Sequence, residues 1–253
     1  MKQQINILIP MAGRGERFAK VGFTKPKPFI EVGKSKIPMI ECVLQNLCIL
    51  GAKVILVALK EHLARESKLV ERITREYGAE FIGIENLTQG TACTLLYASE
   101  FIDNDAPLLI ANADQIVDMD INEFCIDCFK REMDGSILCF VDKSRNPKWS
   151  FVRLDERGFV REVREKQPIS EYATSGIYLF SQGKVFVKSA KQMIAQDERV
   201  NGEFYTAPSY NYAIANGAKI GIYKIAQERM HGLGTPQDLA EYERFSESKN
   251  NKE

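Results

Sequence analysis

Apolar runs alternate with amphipathic stretches through the first half of the chain, and glycines mark the changes of period. Residues 5–10 form a largely apolar run of a length that suits a buried strand, and a loop with two glycines follows. Over residues 38–50 the apolar side chains Ile40, Val43, Leu44 and Leu47 recur at helical spacing, and Gly51 ends the pattern. Residues 53–59 predict a second strand, 63–77 a charged amphipathic helix closed by Gly78, and 80–84 a third strand. A helix over 91–101 and a fourth strand over 107–111 complete this half. Strands and helices in strict alternation imply a mostly parallel sheet with helices on both faces.

The second half is richer in strands. Residues 135–142 and 150–155 predict two, and the Arg157-Gly158 turn leads into a third over 159–165. Another strand spans 173–180, helices follow over 183–196 and 203–216, and 219–225 is the last strand. The closing helix is expected over 236–245, with Thr235 as its cap and Pro236 at its first position. The polar tail over 246–253 is expected to be flexible. With no repeat, low-complexity segment or linker, the pattern predicts one α/β domain. It is a Rossmann-like three-layer fold, with a central mixed, mostly parallel sheet and a small β-rich insertion.

Composition narrows the function classes. The 253 residues are 45% hydrophobic, enough to bury a core, which excludes general disorder. Thirty-four basic residues balance 34 acidic ones, so the extended basic surface that coats nucleic acids is not expected. No run approaches the ~20 apolar residues of a membrane span. The six cysteines have no disulfide-framework spacing; a cytoplasmic location with reduced thiols is expected. Cys125 and Cys128, flanked by Phe124, Ile126 and Phe129, read as small apolar residues on a helix face rather than as metal ligands.

Candidate chemistry begins after the first strand, at Met11-Ala12-Gly13-Arg14-Gly15-Glu16-Arg17. Glycines there let backbone N–H groups approach an anion, and Arg14 and Arg17 offer forked donors to phosphate oxygens. Thr24-Lys25-Pro26-Lys27-Pro28 follows, where prolines hold the chain extended and aim each lysine. Together these make a local cationic cluster suited to phosphate. Asn112-Ala113-Asp114 follows the fourth strand, and ligands of open α/β sheets bind at the carboxyl ends of strands. Asp114 beside phosphates is a natural Mg²⁺ ligand. Asp118 and Asp120 form a D-x-D pattern, which a glycosyltransferase would use, but they are expected to face solvent or cap the helix starting at Ile121. Gln89, Gly90 and Thr91 can offer donors and acceptors to a base edge, and Thr91 can also cap a helix.

In this order the motifs resemble the nucleotidyltransferases of the sugar-nucleotide pyrophosphorylase type. The resemblance spans residues 5–240 and implies one nucleotidyltransferase domain over 1–245, with a nucleotide-binding half (1–134) and an acceptor-binding half (135–245). It implies a triphosphate site at Met11, Ala12, Gly13, Arg14, Gly15 and Lys25, with Arg17, Lys27 and Asp114 as the catalytic set. Base contacts would come from Gln89, Gly90 and Thr91, and Asn112 and Ala113 would line the nucleotide. Glu165, Lys166, Gly176 and Glu203 would hold the acceptor. The family usually carries a second metal-binding Asp two residues before Gly234-Thr235-Pro236, where this chain has Gly232. Either that site is absent or a group such as Glu203 or Glu228 replaces it. His231 is a further candidate.

The opening and the Met230-His231-Gly232-Leu233-Gly234 ending also resemble cytidylyltransferases of bacterial capsule gene clusters. That implies CTP and L-glutamine phosphate as substrates and Mg²⁺ as cofactor, giving CDP-L-glutamine and pyrophosphate. Sugar 1-phosphates and phosphocholine are the alternative acceptors, and a catalytically weak nucleotide-binding regulator is the alternative class.

Overall fold

Residue-by-residue alternation decides which face each strand side chain joins. In the computed structural model, which describes residues 4–250, β1 (Asn6–Pro10) sends Ile7 and Ile9 to one face of the sheet and Leu8 to the other. The loop after it carries α1 (Glu16–Ala19), and a two-strand ribbon of β2 (Glu31–Val32) and β3 (Ile37–Pro38) leads into α2 (Met39–Asn46). β4 (Lys53–Leu59) repeats the alternation, with Val54, Leu56 and Ala58 on the first face and Ile55, Val57 and Leu59 on the second. Helices α3 (Lys60–Arg65) and α4 (Ser67–Tyr77), β5 (Glu80–Ile84), α5 (Thr91–Leu96), α6 (Ser99–Ile102) and β6 (Leu108–Ala111) follow.

β7 (Gln115–Val117), α7 (Ile121–Lys130), β8 (Gly135–Val141), β9 (Ser150–Leu154), β10 (Val160–Glu165) and β11 (Tyr172–Phe180) follow. The chain ends with α8 (Gly183–Ala195), α9 (Ser209–Ala215), β12 (Ile220–Ile225), β13 (Met230–Gly232) and α10 (Pro236–Asn250).

The sheet has nine strands and is mixed, as the pattern predicts. β6, β1, β4 and β5 are parallel neighbours, and β12 runs parallel to β8. β11 joins the halves: Ile177–Phe180 pair antiparallel with β6, and Tyr172 and Ala173 pair with β9. A bulge between Thr174 and Tyr178 makes that change of partner possible, with Gly176 at φ +78°. One face of the sheet packs on α2, α7 and α10 through Ile40, Val43, Phe124 and Leu239. The other packs on α5, α8 and α9 through Leu95, Phe186 and Tyr210.

Several expected elements differ. The helix expected over 63–77 is two helices meeting at Glu66, and that over 91–101 is also two. The helix expected over 203–216 is helical only at Ser209–Ala215. Pro208 lacks an N–H and disfavours helix for the residue before it, and Phe204 spends its N–H on Gln89 O at 2.8 Å. Thr91 does not cap α5, because Gly90 stands in the cap position. Thr235 does cap α10, accepting from the Asp238 N–H at 3.1 Å. That helix runs past residue 245 to Asn250, so residues 246–250 of the expected tail are helical backbone and 251–253 lie outside the described residues.

All six cysteines are free, and burial on α7 pushes the Cys125 and Cys128 thiols up to about 12. No helix among the described residues is long and apolar enough to cross a membrane.

Candidate active site

β1 and β6 pair in parallel with Asn6 opposite Leu108, so the loops after both strands emerge at the same end of the sheet. One loop carries Met11 to Gly15 and the other Asn112 to Asp114, beside a cavity of about 490 Å³. That volume suits a small ligand.

Gly15 adopts φ +65° at the start of α1. A Cβ there would meet the Lys27 Cβ at 2.7 Å, so the loop can lie against the turn at Lys27–Phe29 only as glycine. Contact at this point brings Lys27 into the cavity, where its Nζ forms an ion pair with Asp114. Both side chains are about three-quarters buried, at 21% and 24% exposure. Asp114 is fixed from behind, its carbonyl accepting from the Leu233 N–H at 2.7 Å.

On the other side, the Asn112 side-chain amide donates to Gln115 Oε1 at 2.9 Å, and the Asn112 N–H donates to Gly176 O at 3.0 Å. A Cβ on Gly176 would fall 1.6 Å from Gln115 Oε1, so only glycine lets β11 press on this amide pair.

The far end of the cavity comes from the second half. Asp142, buried, accepts from the N–H groups of Ser144 at 3.0 Å and Asn146 at 2.8 Å. Burial alone would raise its pKa. The hydrogen bonds from Ser144, Asn146 and Arg145 outweigh burial and hold the carboxyl below its ordinary range. They shape the loop that presents Lys148 and Trp149. Glu165 accepts a hydrogen bond from Ser150. Burial pushes its pKa up, against the pull of Ser150 and Lys166. Lys166, at φ +54°, turns its Nζ onto Tyr205, whose hydroxyl it meets. Such a backbone costs a non-glycine residue roughly 1 kcal/mol, so the surrounding contacts hold it there.

The cavity wall thus gathers Met11, Gly13, Gly15, Arg17, Lys27, Thr91, Asn112, Ala113, Asp114, Glu165 and Gly176 from the expected set. Ala12 is buried in the core below it. Arg14 is exposed outside it, and Lys25 pairs with Glu31 at 2.8 Å. Gln89 is bound by Arg199, Gly90 packs on Phe204, Lys166 stands behind Tyr205, and Glu203 is exposed. Asp120 caps α7 by accepting from the Asn122 N–H at 2.9 Å, and neither it nor Asp118 lines the cavity. Gln115, Lys148, Trp149, Ser150, Tyr178, Tyr205 and Thr206 also line the wall and escaped the sequence reading. Trp149, the single tryptophan, sits just before a predicted strand and was the one available signal.

The donor set suits a divalent cation. Among the described residues no group of three or more His, Cys, Asp or Glu is arranged to hold a metal, so phosphate oxygens and water would complete an Mg²⁺ shell. A Cβ at Gly234 would stand 3.2 Å from Asp114 Oδ2 and 3.8 Å from Asp238 Oδ2. A Cβ at Gly232 would find Asp238 as its nearest neighbour, with Cγ at 3.8 Å. Gly234 therefore leaves a gap between two carboxylates, and Asp238 lies beside Gly232, the position where the resemblance expects an Asp.

A model of the nucleotidyl transferase family matches residues 7–249. The bifunctional protein GlmU of Methanocaldococcus jannaschii is 23% identical over 248 residues, covering 95% of this chain and 54% of that protein. The mannose-1-phosphate guanylyltransferase catalytic subunit beta of Dictyostelium discoideum is 25% identical over 179 residues, covering 69% of this chain and 49% of that protein. The chain spans about half the length of these curated relatives. A nucleoside-diphosphate-sugar pyrophosphorylase from Vibrio cholerae RC9 superposes with a TM-score of 0.77 at 24% identity, covering 94% of this chain and 99% of that one, and so shares the fold.

Proposed function

We propose that this chain, which belongs to the nucleotidyl transferase family, joins a nucleoside triphosphate to a phosphorylated small molecule and releases pyrophosphate. An acceptor phosphate oxygen attacks the α-phosphorus. The bond from that phosphorus to the bridging oxygen breaks, and pyrophosphate leaves with the electron pair. The acceptor is already anionic at neutral pH, so no general base is needed, and catalysis reduces to positioning and charge stabilisation. The observation that carries this reading is the Lys27–Asp114 pair beside the Gly13–Gly15 loop. Lys27 and Arg17 would take the charge of the leaving pyrophosphate. Asp114, with Asp238 across Gly234, would hold Mg²⁺, which when bound supplies neutralising charge and orients phosphate oxygens. Glu165, Trp149 and Tyr205 would seat the acceptor.

At the finer level the reading is a cytoplasmic enzyme of capsule biosynthesis that uses CTP and L-glutamine phosphate and forms CDP-L-glutamine. The chain's opening and closing motifs support it. A sugar 1-phosphate is the second reading, favoured by the mannose-1-phosphate guanylyltransferase relative. A screen of four nucleoside triphosphates against L-glutamine phosphate, phosphocholine and sugar 1-phosphates, with Mg²⁺ and a pyrophosphate readout, tests both. Release with CTP and L-glutamine phosphate is expected. Release only with a sugar 1-phosphate transfers the assignment to the second reading, and release with no pair overturns the class.

A further inference from the structure

The last rung of the β9–β10 ladder pairs Ser150 with Glu165, and both residues line the cavity. One step further out, Trp149 O accepts from the Lys166 N–H at 3.0 Å. A lysine therefore stands on the extension of each strand, Lys148 beside β9 and Lys166 beside β10. Lys166, at φ +54°, turns away: its Nζ lies over the Tyr205 ring at 4.3 Å and meets the hydroxyl, off the cavity wall. Lys148 is on the wall.

The backbone under Lys148 is fixed. Asn146, itself held by buried Asp142, accepts from the Lys148 N–H on its Oδ1 at 3.0 Å and from the Trp149 N–H on its carbonyl at 3.3 Å. The Trp149 ring stands edge-on to Phe140, with centroids 5.3 Å apart and planes at 87°. Lys148 folds back over this ring, its Nζ 4.4 Å from the centroid. Among the described residues no carboxylate pairs with that ammonium.

The other charges on the wall are placed differently. Lys27 pairs with Asp114, Glu165 binds Ser150, and Glu16 and Arg17 belong to the segment after β1. Among the described residues Lys148 is thus the only cation that the second half gives to the wall. The reaction brings two anions together, the triphosphate and the acceptor's phosphate. Arg17 and Lys27 stand on the side of the Gly13–Gly15 loop, so the second anion needs a cation of its own. An exposed ammonium over an indole face is held weakly, whereas a phosphate oxygen offers it a charge-assisted hydrogen bond. Trp149 therefore keeps the ammonium at the cavity without a carboxylate that would compete with the phosphate.

The geometry points to Lys148 as the binding residue for the acceptor's phosphate, its ammonium leaving the Trp149 ring as that phosphate arrives. The inference rests on the nucleotidyltransferase function proposed above. Steady-state pyrophosphate release by the full chain with Mg²⁺ tests it, with CTP and L-glutamine phosphate, or with mannose 1-phosphate and the nucleotide that the screen selects. Lys148→Met keeps an apolar stem against Trp149 and removes the charge. It is expected to raise KM for the acceptor about tenfold or more and to leave KM for the nucleotide within about twofold of wild type. Lys148→Arg restores a cation and is expected to recover most of the loss, which a merely structural role for the side chain would not predict. Inorganic phosphate, added at saturating nucleotide, is expected to compete with the acceptor, and Lys148→Met to raise its inhibition constant by a similar factor. An unchanged acceptor KM in Lys148→Met, an equal rise in both KM values, or an inhibition constant for phosphate that does not move overturns the inference. Emission from Trp149, the single tryptophan, checks that the loop stays folded; if Lys148→Met disturbs it, Lys148→Gln decides in its place. A variant that matches an active wild type overturns this inference alone. A wild-type chain that releases pyrophosphate with no pair overturns the function proposed above, and this inference with it.

Discussion

Gly13 and Gly15 belong to one motif, yet the structure gives them different reasons to be glycine. A Cβ at Gly15 would lie 2.7 Å from the Lys27 Cβ, while ordinary contact begins at 3.4 Å, so something must yield by about 0.7 Å. The left-handed backbone adds roughly 1 kcal/mol for alanine. Together Gly15→Ala should cost about 1–3 kcal/mol of stability. The yielding atom is the stem of Lys27, so the displacement reaches the ammonium paired with Asp114. A shift of about 1 Å in a catalytic group can cost ~10²-fold in rate, so turnover should fall ~10–10²-fold. A Cβ at Gly13 meets nothing within 4 Å, and Gly13 lines the cavity. Gly13→Ala should therefore unfold within about 0.5 kcal/mol of wild type while raising KM for the nucleotide, because the methyl stands where phosphate must approach. Urea denaturation and steady-state pyrophosphate release on both variants separate the two effects. Equal stability losses, or a Gly15→Ala variant with wild-type stability and turnover, would falsify the argument.

Lys27→Ala and Asp114→Ala should each reduce turnover ~10²–10³-fold with the fold retained, since each removes about 3–4 kcal/mol of charge stabilisation; pyrophosphate release and circular dichroism check both. Asp142→Asn should lose about 1–3 kcal/mol near neutral pH, because the variant forfeits hydrogen bonds made to a carboxylate. The folded pKa of Asp142 lies below its unfolded value of about 3.9, so its stabilisation is full above that value and fades as pH falls through the folded one. A wild-type-minus-variant difference that stays constant from neutral to acidic pH in urea melts would contradict this. Glu165 titrates the other way: its raised pKa favours the neutral form in the fold, so its contribution to stability is present at low pH and lost as pH rises through the raised value. Acceptor binding by the ionised carboxylate should strengthen over that same rise, and Glu165→Gln should flatten the acceptor KM profile against pH.

Where periodicity and end signals agree, the fold is legible in the sequence. The strand at residues 53–59 is observed at Lys53–Leu59, and Gly78 closes its helix in the left-handed conformation. The reading fails where tertiary contacts override local pattern. Residues 203–208 carry helical spacing, but their backbone groups bond to the loop at Gln89 and Ala92, 112 or more positions earlier in sequence for the Phe204 pair. The candidate site divides in the same way. Residues on the loops after β1 and β6 could be proposed because strand ends mark where such loops converge. Tyr178, Trp149 and Tyr205 reach the cavity through the bulge in β11, the Asp142-bound loop and the turn held by Arg199, respectively. None of those devices has a periodic signature.

The balanced composition also acquires a local meaning. Five cations lie from Arg14 to Lys27, but of these only Arg17 and Lys27 line the cavity, and Lys25 is matched by Glu31. A cluster counted along the chain therefore overstates the charge aimed at one point. The Lys27–Asp114 pair is the more informative feature. Two partly buried side chains of opposite sign are paired there, so neither charge is left without a partner. Their chemical complement is a second pair with the signs exchanged: an anion for the lysine and a cation for the aspartate. A nucleotide phosphate with its divalent metal is such a pair, and the glycines at 13 and 234 keep side chains out of the space it would need. Charge neutrality in this site is thus a condition for receiving a charged ligand, since the incoming pair can replace each partner's counter-ion without leaving a bare charge behind.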